Sequence, residues 1–364
     1  MKRMHDLYAS LFHPSTHPAE GEACSAPNHF RVRGYDPHPM RCGRFRPAGL
    51  HENLTRRGFL KVCASALAVF AASSLFSRLV YAKKESSSGR PKKNIKGDYD
   101  LVAVGGEDPY KMTVESIRSM GGMGRFVKKD DVVVVKPNIA WDRAPEQACT
   151  TNPLVVAAVI DLAFEAGAKR VNVFDITCND AKRCYDTSGI QQAAKEHGAN
   201  VFHPDDWNSV SAHFDYESPM EDWPMLRDAL DCDAFINVPV LKSHGLAGLT
   251  IAMKNLMGVC CGNRGKIHFD IGRKLVDITD FISPELTVVD AYRVLVRNGP
   301  TGGNLSDVVD TRVVLAATDA TLADVYAATL VGVDPMSLPN IKAAFKRNFG
   351  STDIAKANIL KLTV

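Results

Sequence analysis

Four consecutive valines, Val132 to Val135, constrain the fold of this chain more than any other feature. A continuous run of β-branched residues without polar alternation is typical of a strand buried on both faces, as in parallel sheets covered by helices. An antiparallel strand with one face in solvent alternates apolar and polar residues instead. The run therefore predicts an α/β protein.

A helix and a second strand follow the valines at the spacing of a β-α-β unit. The helix predicted over 153–166 has Thr151 or Asn152 as its cap, Pro153 in its first turn and Gly167 at its end. Further strands are predicted at 101–104, 171–174, 234–238, 286–289 and 313–316, and further helices at 109–120, 190–197, 249–257 and 320–330. We expect a single, mostly parallel, Rossmann-like layered sheet over 98–364, with helices on both faces.

The N-terminal region indicates export. Arg56 and Arg57 directly precede an apolar run over 62–79, and 80–82 offers a small-residue cleavage site. We predict a disordered or mis-called extension over 1–54, a twin-arginine signal peptide over 55–82 that the twin-arginine translocase recognises, and a linker over 83–97.

The predicted location is periplasmic or otherwise extracytoplasmic. The apolar run is only moderately hydrophobic, so we expect no stable membrane span after cleavage. An uncleaved leader would instead leave the protein anchored in the membrane.

The charge distribution excludes an obvious nucleic-acid footprint. Residues 1–82 hold 11 Lys and Arg and 5 Asp and Glu, so the remaining chain keeps 33 basic residues against 36 acidic ones, out of totals of 44 and 41. A nucleic-acid partner is therefore not expected, because such proteins carry basic patches on the folded domain.

Polar residues at the predicted strand ends define a candidate site, because ligands of open parallel sheets bind beyond the carboxyl ends of the strands. Lys136 and Asn138 follow the valines, Asp175 follows the next strand, and Lys242 and His244 follow the strand at 234–238. For Lys136 two interpretations stay open: its ammonium meets an anionic group, or it simply reaches solvent.

Thr150 and Thr151 precede the helix predicted over 153–166. Free backbone N–H groups at the start of a helix favour anions. Ordinary helix capping explains the same two residues equally well.

The segment over 241–268 is the densest in functional residue types, with glycines that allow close approach of a ligand. A merely flexible basic loop is the alternative interpretation. The candidate ligands of a divalent metal or an iron–sulfur cluster are Asp175, His244, Cys260, Cys261 and His268. Adjacent cysteines seldom both bind one ion, since consecutive side chains diverge.

Motifs for several common activities are missing. The chain has no phosphate-binding G-x-x-x-x-G-K-[ST], no dinucleotide-binding G-x-G-x-x-G after a strand, no G-x-S-x-G and no H-E-x-x-H. The closely spaced cysteines of an eight-iron ferredoxin are also missing.

Three long blocks, in order, resemble the domain-of-unknown-function family 362. They are VVVKPNIAWDRAPEQACTTNPLVVAAVI, NVPVLKSHGLAGLTIAMKNLMGVCCGNRGKIHFDI and VVDAYRVLVRNGPTGG. With its twin-arginine leader the chain looks like an exported branch of that family. The resemblance implies an α/β fold but no particular reaction, and the ferredoxin-like module of other members has no counterpart here.

Three functions stay open. The first is an enzyme acting on a small anionic substrate, with His244, His268 and Lys242 as candidate catalytic residues. The second is a metal or iron–sulfur redox protein, and the third is a non-catalytic binding protein of the envelope. The candidate substrate-binding residues are Lys136, Asn138, Thr150, Thr151, Lys254, Asn255 and Arg264.

Overall fold

A computed structural model of the chain describes residues 89–95, 97–215 and 217–364. The predicted N-terminal extension, the twin-arginine leader and the start of the linker lie outside the described residues. Among the residues that are described, no helix has the length and apolar character needed to cross a membrane.

A ten-stranded sheet forms the centre of the described region. In chain order the strands are β1 (Leu101–Gly105), β2 (Val132–Pro137), β3 (Arg170–Val173), β4 (Asn200–Val201), β5 (Ser209–His213), β6 (Asp222–Leu226), β7 (Ala234–Val238), β8 (Val240–His244), β9 (Gly248–Thr250), β10 (Leu286–Leu295), β11 (Val308–Ala317) and β12 (Ile359–Thr363). The order across the sheet is β12-β1-β11-β10-β7-β2-β3-β4, and β8 joins it through β10 and β9 through β8. Strands β5 and β6 pair separately.

Most neighbouring strands run parallel. Strand β2 pairs in parallel with β3 on one side and β7 on the other, and β10 pairs in parallel with both β7 and β8. Strand β11 is antiparallel to β1 and β10, and β9 is antiparallel to β8. The predicted α/β class with one mostly parallel sheet is therefore confirmed.

The helices divide between two apolar clusters on the two faces of the sheet. They are α1 (Pro109–Ser119), α2 (Pro153–Glu165), α3 (Ala181–Thr187), α4 (Ile190–Glu196), α5 (Arg227–Asp231), α6 (Ala252–Asn255), α7 (Ile271–Ile282), α8 (Ala320–Leu330) and α9 (Pro339–Arg347). Residues of α1 to α4 pack in one cluster, and residues of α5 to α9 pack in the other. Layers on both faces are thus confirmed.

The valine run accounts for this arrangement. Val133 and Val135 contribute to the first cluster and Val134 to the second, and all three are completely buried. Because successive side chains of a strand point to opposite faces, a continuous apolar run needs cover on both sides.

The helix predicted over 249–257 is wrong. Residues Gly248–Thr250 form β9, the short helix α6 follows, and Leu256–Val259 is a 3-10 helix. The chain turns from β8 into β9 at Gly248, which has a left-handed φ of 76°. A hairpin therefore precedes the helix, because a glycine accepts this backbone conformation and a continuing helix does not.

Candidate functional site

A cavity of about 650 Å³ lies at the carboxyl ends of β2, β3 and β8. The structure brings most of the predicted site residues to its wall, namely Asn138, Asp175, Lys242, His244, Lys254, Asn255, Arg264 and His268. Apolar residues also contribute, including Trp141, Leu246, Met257 and Pro300. The segment over 241–268, for which a flexible loop was the alternative, is instead folded into β8, β9, α6 and 3-10 turns.

Lys136, which does not itself line the cavity, forms a buried ion pair with Asp175 of the cavity wall. The Lys136 Nζ lies 2.6 Å from Asp175 Oδ1, and the two side chains are 0% and 2% exposed. Asp175 Oδ2 also accepts a hydrogen bond of 2.7 Å from the Ile139 backbone N–H. Burial lowers the pKa of Lys136, and the Asp175 charge opposes that shift. Of the two interpretations of Lys136, contact with an anionic group is the one observed; this group belongs to the protein.

Gly258 makes this pair possible. A Cβ atom at position 258 would lie 1.8 Å from Asp175 Oδ1 and 2.6 Å from Lys136 Nζ. The backbone carbonyl of Gly258 accepts a hydrogen bond of 3.0 Å from the Ile176 N–H, which holds the 3-10 turn against the end of β3. The glycine is thus required by close approach of the backbone to a charged pair.

Three asparagine amides, two of them at the cavity wall, form a directional hydrogen-bond chain. Lys242 Nζ donates to Asn138 Oδ1 (3.1 Å), and Asn138 Nδ2 donates to Asn255 Oδ1 (3.0 Å). Asn255 Nδ2 donates to Asn237 Oδ1 (2.9 Å), whose Nδ2 donates to the Ala252 carbonyl (3.0 Å). These residues come from β7, β8, α6 and the position that follows β2, so the hydrogen-bond chain joins four parts of the site.

Two lysines bring positive charge into the cavity. Lys242 is 1% exposed and donates to Asn138 Oδ1 and the Cys149 carbonyl, both uncharged acceptors. Lys254 is partly buried, and its side-chain ammonium has no hydrogen-bond or ion-pair partner within the described part of the chain. Burial is the main cause that lowers the pKa of each lysine to about 8.

His244 is held in one neutral tautomer. Its Nδ1 faces two backbone donors, the N–H groups of Leu246 (3.1 Å) and Ala247 (3.2 Å), so Nδ1 is an acceptor and the ring proton lies on Nε2. Burial, followed by the charge of Lys254, lowers the pKa of His244 to about 3. A metal ion could bind Nε2 only if the ring proton moved to Nδ1. Nδ1 already accepts hydrogen bonds from both backbone N–H groups, so this tautomer is disfavoured.

His268 is held in the opposite tautomer. Its Nδ1 lies 3.3 Å from the Gly265 carbonyl, which accepts only, so Nδ1 carries the proton and Nε2 keeps its lone pair. The two imidazole rings stack with centroids 5.8 Å apart and an angle of 19° between their planes. Burial, then the charge of Lys254, lowers the pKa of His268 as well.

Arg264 is engaged with the protein backbone. Its guanidinium donates to the carbonyls of Ile176 (2.9 Å) and Thr177 (2.7 Å), which follow β3. This side chain therefore fixes the loop after Asp175 and brings a positive charge to the cavity wall.

Thr150 and Thr151 lie away from the cavity wall. Thr151 Oγ1 accepts from the Asn138 N–H (2.8 Å) and donates to the Val238 carbonyl (2.7 Å), which joins the ends of β2 and β7. Helix α2 is capped by Asn152, whose side chain accepts from the Leu154 N–H. Of the predicted caps, Asn152 is therefore the one observed; neither threonine caps the helix, and both are almost completely buried.

The five residues predicted as metal ligands do not form a metal site. Cys260 and Cys261 are buried outside the cavity wall, and burial raises the pKa of each thiol to about 12, which favours the protonated form. Asp175 is occupied by Lys136, and His244 has the unsuitable tautomer. Across the described ranges no group of three or more His, Cys, Asp or Glu is placed to hold a metal. These residues do not fit a metal ion or an iron–sulfur cluster.

Sequence reasoning missed two contributors. Asp324, on α8, accepts hydrogen bonds from the Ala252 N–H (2.6 Å) and Met253 N–H (3.4 Å) and so fixes the helix that carries Lys254. Thr250 lines the cavity, is 3% exposed, and its hydroxyl has no partner among the described residues. The predicted strand ends mark neither residue, because Asp324 lies inside a helix and a helix, not a strand, is predicted at Thr250.

The family model for a domain of unknown function, DUF362, matches residues 133–329. The chain belongs to the DUF362 family. The matched region includes the whole cavity wall, since the lining residues run from Asn138 to Pro300.

Known proteins similar to this DUF362 chain include a thylakoid-associated protein of Synechocystis sp., which is 29% identical over 237 residues, 62% of this chain and 71% of that protein. Among solved structures, the lactate racemase apoprotein of Thermoanaerobacterium thermosaccharolyticum has 10% identity and a TM-score of 0.36. A Thermotoga maritima protein has 14% identity and a TM-score of 0.30. The matches cover 66% and 54% of this chain, and 61% and 54% of those two chains.

Proposed function

We propose that this DUF362 protein is an enzyme that binds a small organic anion in the cavity at the carboxyl ends of β2, β3 and β8. The observation that carries the proposal is Lys254, a partly buried ammonium that lines the cavity without a partner in the described part of the chain. A charge held away from water is normally paired, so an unpaired one at a cavity wall favours an external counter-ion.

The charge balance of the wall supports an anionic ligand. Asp175 is the one carboxylate among the described residues that line the cavity, and Lys136 already neutralises it. Lys242, Lys254 and Arg264 remain as positive charges. A bound anion would offset the repulsion among these three positive charges. It would also replace the water that burial removed from the ammonium groups of Lys242 and Lys254.

The surroundings support chemistry on the bound anion. Two neutral histidines lie at the wall beside the lysines, and imidazole is the commonest general acid–base group in enzymes. Met257, an apolar residue that is 5% exposed, lines the same wall and leaves less room for water beside the ligand, which strengthens electrostatic interactions with it.

Calorimetry with malonate as the probe tests the anion site. At pH 8 we expect saturable binding accompanied by proton uptake, because a bound anion raises the lowered pKa of Lys242 and Lys254. Buffers with different ionisation enthalpies measure that uptake. Lys254→Met should weaken malonate binding by roughly 10- to 150-fold, the range for losing a hydrogen bond to a charged group of about 1.5–3 kcal/mol.

The matched control is Lys195→Met, which removes an exposed lysine from α4, outside the cavity wall. It should leave malonate affinity unchanged. Equal effects of the two substitutions, or no saturable binding of malonate, hydroxymalonate or phosphate to the parent protein, would contradict the proposal.

We also propose export through the twin-arginine translocase, on the strength of Arg56 and Arg57 before the apolar run over 62–79. Cell fractionation of the full chain should show that Arg56→Lys with Arg57→Lys retains the protein in the cytoplasm. Arg41→Lys with Arg44→Lys, upstream of the pair, is the control and should leave export unchanged. Normal export of the first variant would refute this route.

A further inference from the structure

We infer that His244 and His268 have opposite and fixed roles toward one ligand: His244 donates a hydrogen bond through Nε2–H, and His268 accepts a proton at Nε2. The ligand is then an anion that also carries a hydroxyl group of its own. The inference deepens the proposed function and rests on it, since both histidines line the proposed anion cavity.

The first step is the donor role of His244. Two backbone N–H groups occupy its Nδ1 lone pair, which leaves Nε2–H as the only polar group of this ring that a ligand can meet. A proton on Nδ1 would face the N–H groups of Leu246 and Ala247, so both hydrogen bonds would be lost and three donors would lie together. His244 therefore remains neutral and donates, which suits an anionic oxygen.

The second step is the acceptor role of His268. The Gly265 carbonyl accepts a hydrogen bond from the Nδ1–H of His268, so the lone pair of this ring is on Nε2. Within the described ranges no protein group donates a hydrogen bond to Nε2. An anion with oxygen acceptors alone would face this lone pair unfavourably. A ligand hydroxyl supplies the missing proton donor.

The third step is proximity. The rings are 5.8 Å apart between centroids and nearly parallel, and the charge of Lys254 acts on both. Lys254 and both histidines line the same cavity, so a small ligand bound by Lys254 would lie beside the two imidazoles. Thr250 adds a buried hydroxyl without a partner at the same wall.

The arrangement supports one proton transfer. The ligand O–H bond breaks, its proton forms a bond to His268 Nε2, and the electron pair stays on the ligand oxygen. The resulting negative charge is stabilised by the His244 Nε2–H and the Lys254 ammonium. In the reverse step the His268 Nε2–H bond breaks and the proton re-forms the ligand O–H bond, which removes the charge, so no other reactant is needed.

Nitrogen NMR of histidine-labelled full-length protein tests the roles without any ligand. We expect His244 to show a protonated Nε2 with an unprotonated Nδ1, and His268 to show the reverse. The single substitutions His244→Gln and His268→Gln assign the two signals. An Nε2–H tautomer at His268, or an Nδ1–H tautomer at His244, would overturn the inference while leaving anion binding intact.

Paired calorimetry with malonate and hydroxymalonate, which differ by one hydroxyl, tests the ligand class. The parent should prefer hydroxymalonate by about fivefold, the equivalent of one neutral hydrogen bond. His268→Phe should abolish that preference, whereas His244→Phe should weaken both anions and keep it. Equal binding of the two anions to the parent refutes the ligand class alone, whereas failure of both anions and of phosphate to bind refutes the proposed function.

Discussion

Substituting Gly258 by alanine tests whether the ion pair of Lys136 and Asp175 is essential to the fold. The added Cβ would lie 1.8 Å from Asp175 Oδ1 and 2.6 Å from Lys136 Nζ, far inside van der Waals contact. The turn cannot easily retreat, because the Gly258 carbonyl accepts the Ile176 N–H. Asp175 and Lys136, now 2.6 Å apart, would have to separate.

Separating a buried pair leaves each charge without its partner, and breaking such pairs costs about 3–5 kcal/mol. We therefore expect Gly258→Ala to lower the free energy of unfolding by about 3–5 kcal/mol, measured by urea denaturation of the full chain. Gly124→Ala is the control, since a Cβ there meets nothing within 4 Å. Its effect should stay within about 0.5 kcal/mol.

A second background makes the test specific to the pair. In a Lys136→Met, Asp175→Ala variant both charges are absent, so adding Gly258→Ala should cost much less than it does in the parent. The reasoning is refuted if Gly258→Ala is as stable as Gly124→Ala, or if it costs the same with and without the pair.

Three further predictions concern charge and orientation. Malonate affinity should be constant below about pH 7 and fall above about pH 8. The reason is that Lys242 and Lys254 attract an anion only as ammonium ions, and their pKa values are lowered to about 8. A calorimetric affinity that stays flat from about pH 6 to about pH 9.5 would contradict this. Burial raises the pKa of Asp324 from 3.8 to about 7, so between these pH values the folded state binds more protons than the unfolded state. Asp324 therefore makes the free energy of unfolding fall as pH rises through this range. Urea titrations at stepped pH should show a smaller fall in Asp324→Asn than in the parent, and equal pH slopes would argue against this role. Asn255→Asp removes the amide N–H groups that donate to the Lys136 carbonyl and to Asn237 Oδ1. The free energy of unfolding should fall by about 1–3 kcal/mol for each of these acceptors left unpaired. Urea denaturation like that of the parent would mean that the amide chain contributes little to stability.

The sheet and the place of the site were predictable because both depend on local signals. The apolar run over 132–135 requires cover on both faces, and strand direction then determines which ends gather polar residues. Asn138, Asp175, Lys242 and His244 follow from that rule, and all four line the cavity.

The state of each side chain was not predictable, since it depends on partners distant in sequence. Lys136 and Asp175 meet across adjacent strands, and Asp324 reaches α6 from a helix far along the chain. The same limit explains the wrong helix over 249–257, where a hairpin pairing of β8 with β9 outweighs local helical preference. Tautomers of histidine also depend on nearby backbone groups that a residue pattern does not contain.

The chain of asparagine amides runs in one direction only, from the Lys242 ammonium to the Ala252 carbonyl. Turning any one amide by half a turn would set N–H against N–H on one side and oxygen against oxygen on the other. This part of the cavity wall is therefore preorganised before a ligand arrives. Binding then loses little conformational entropy in the protein, so more of the interaction energy appears as affinity.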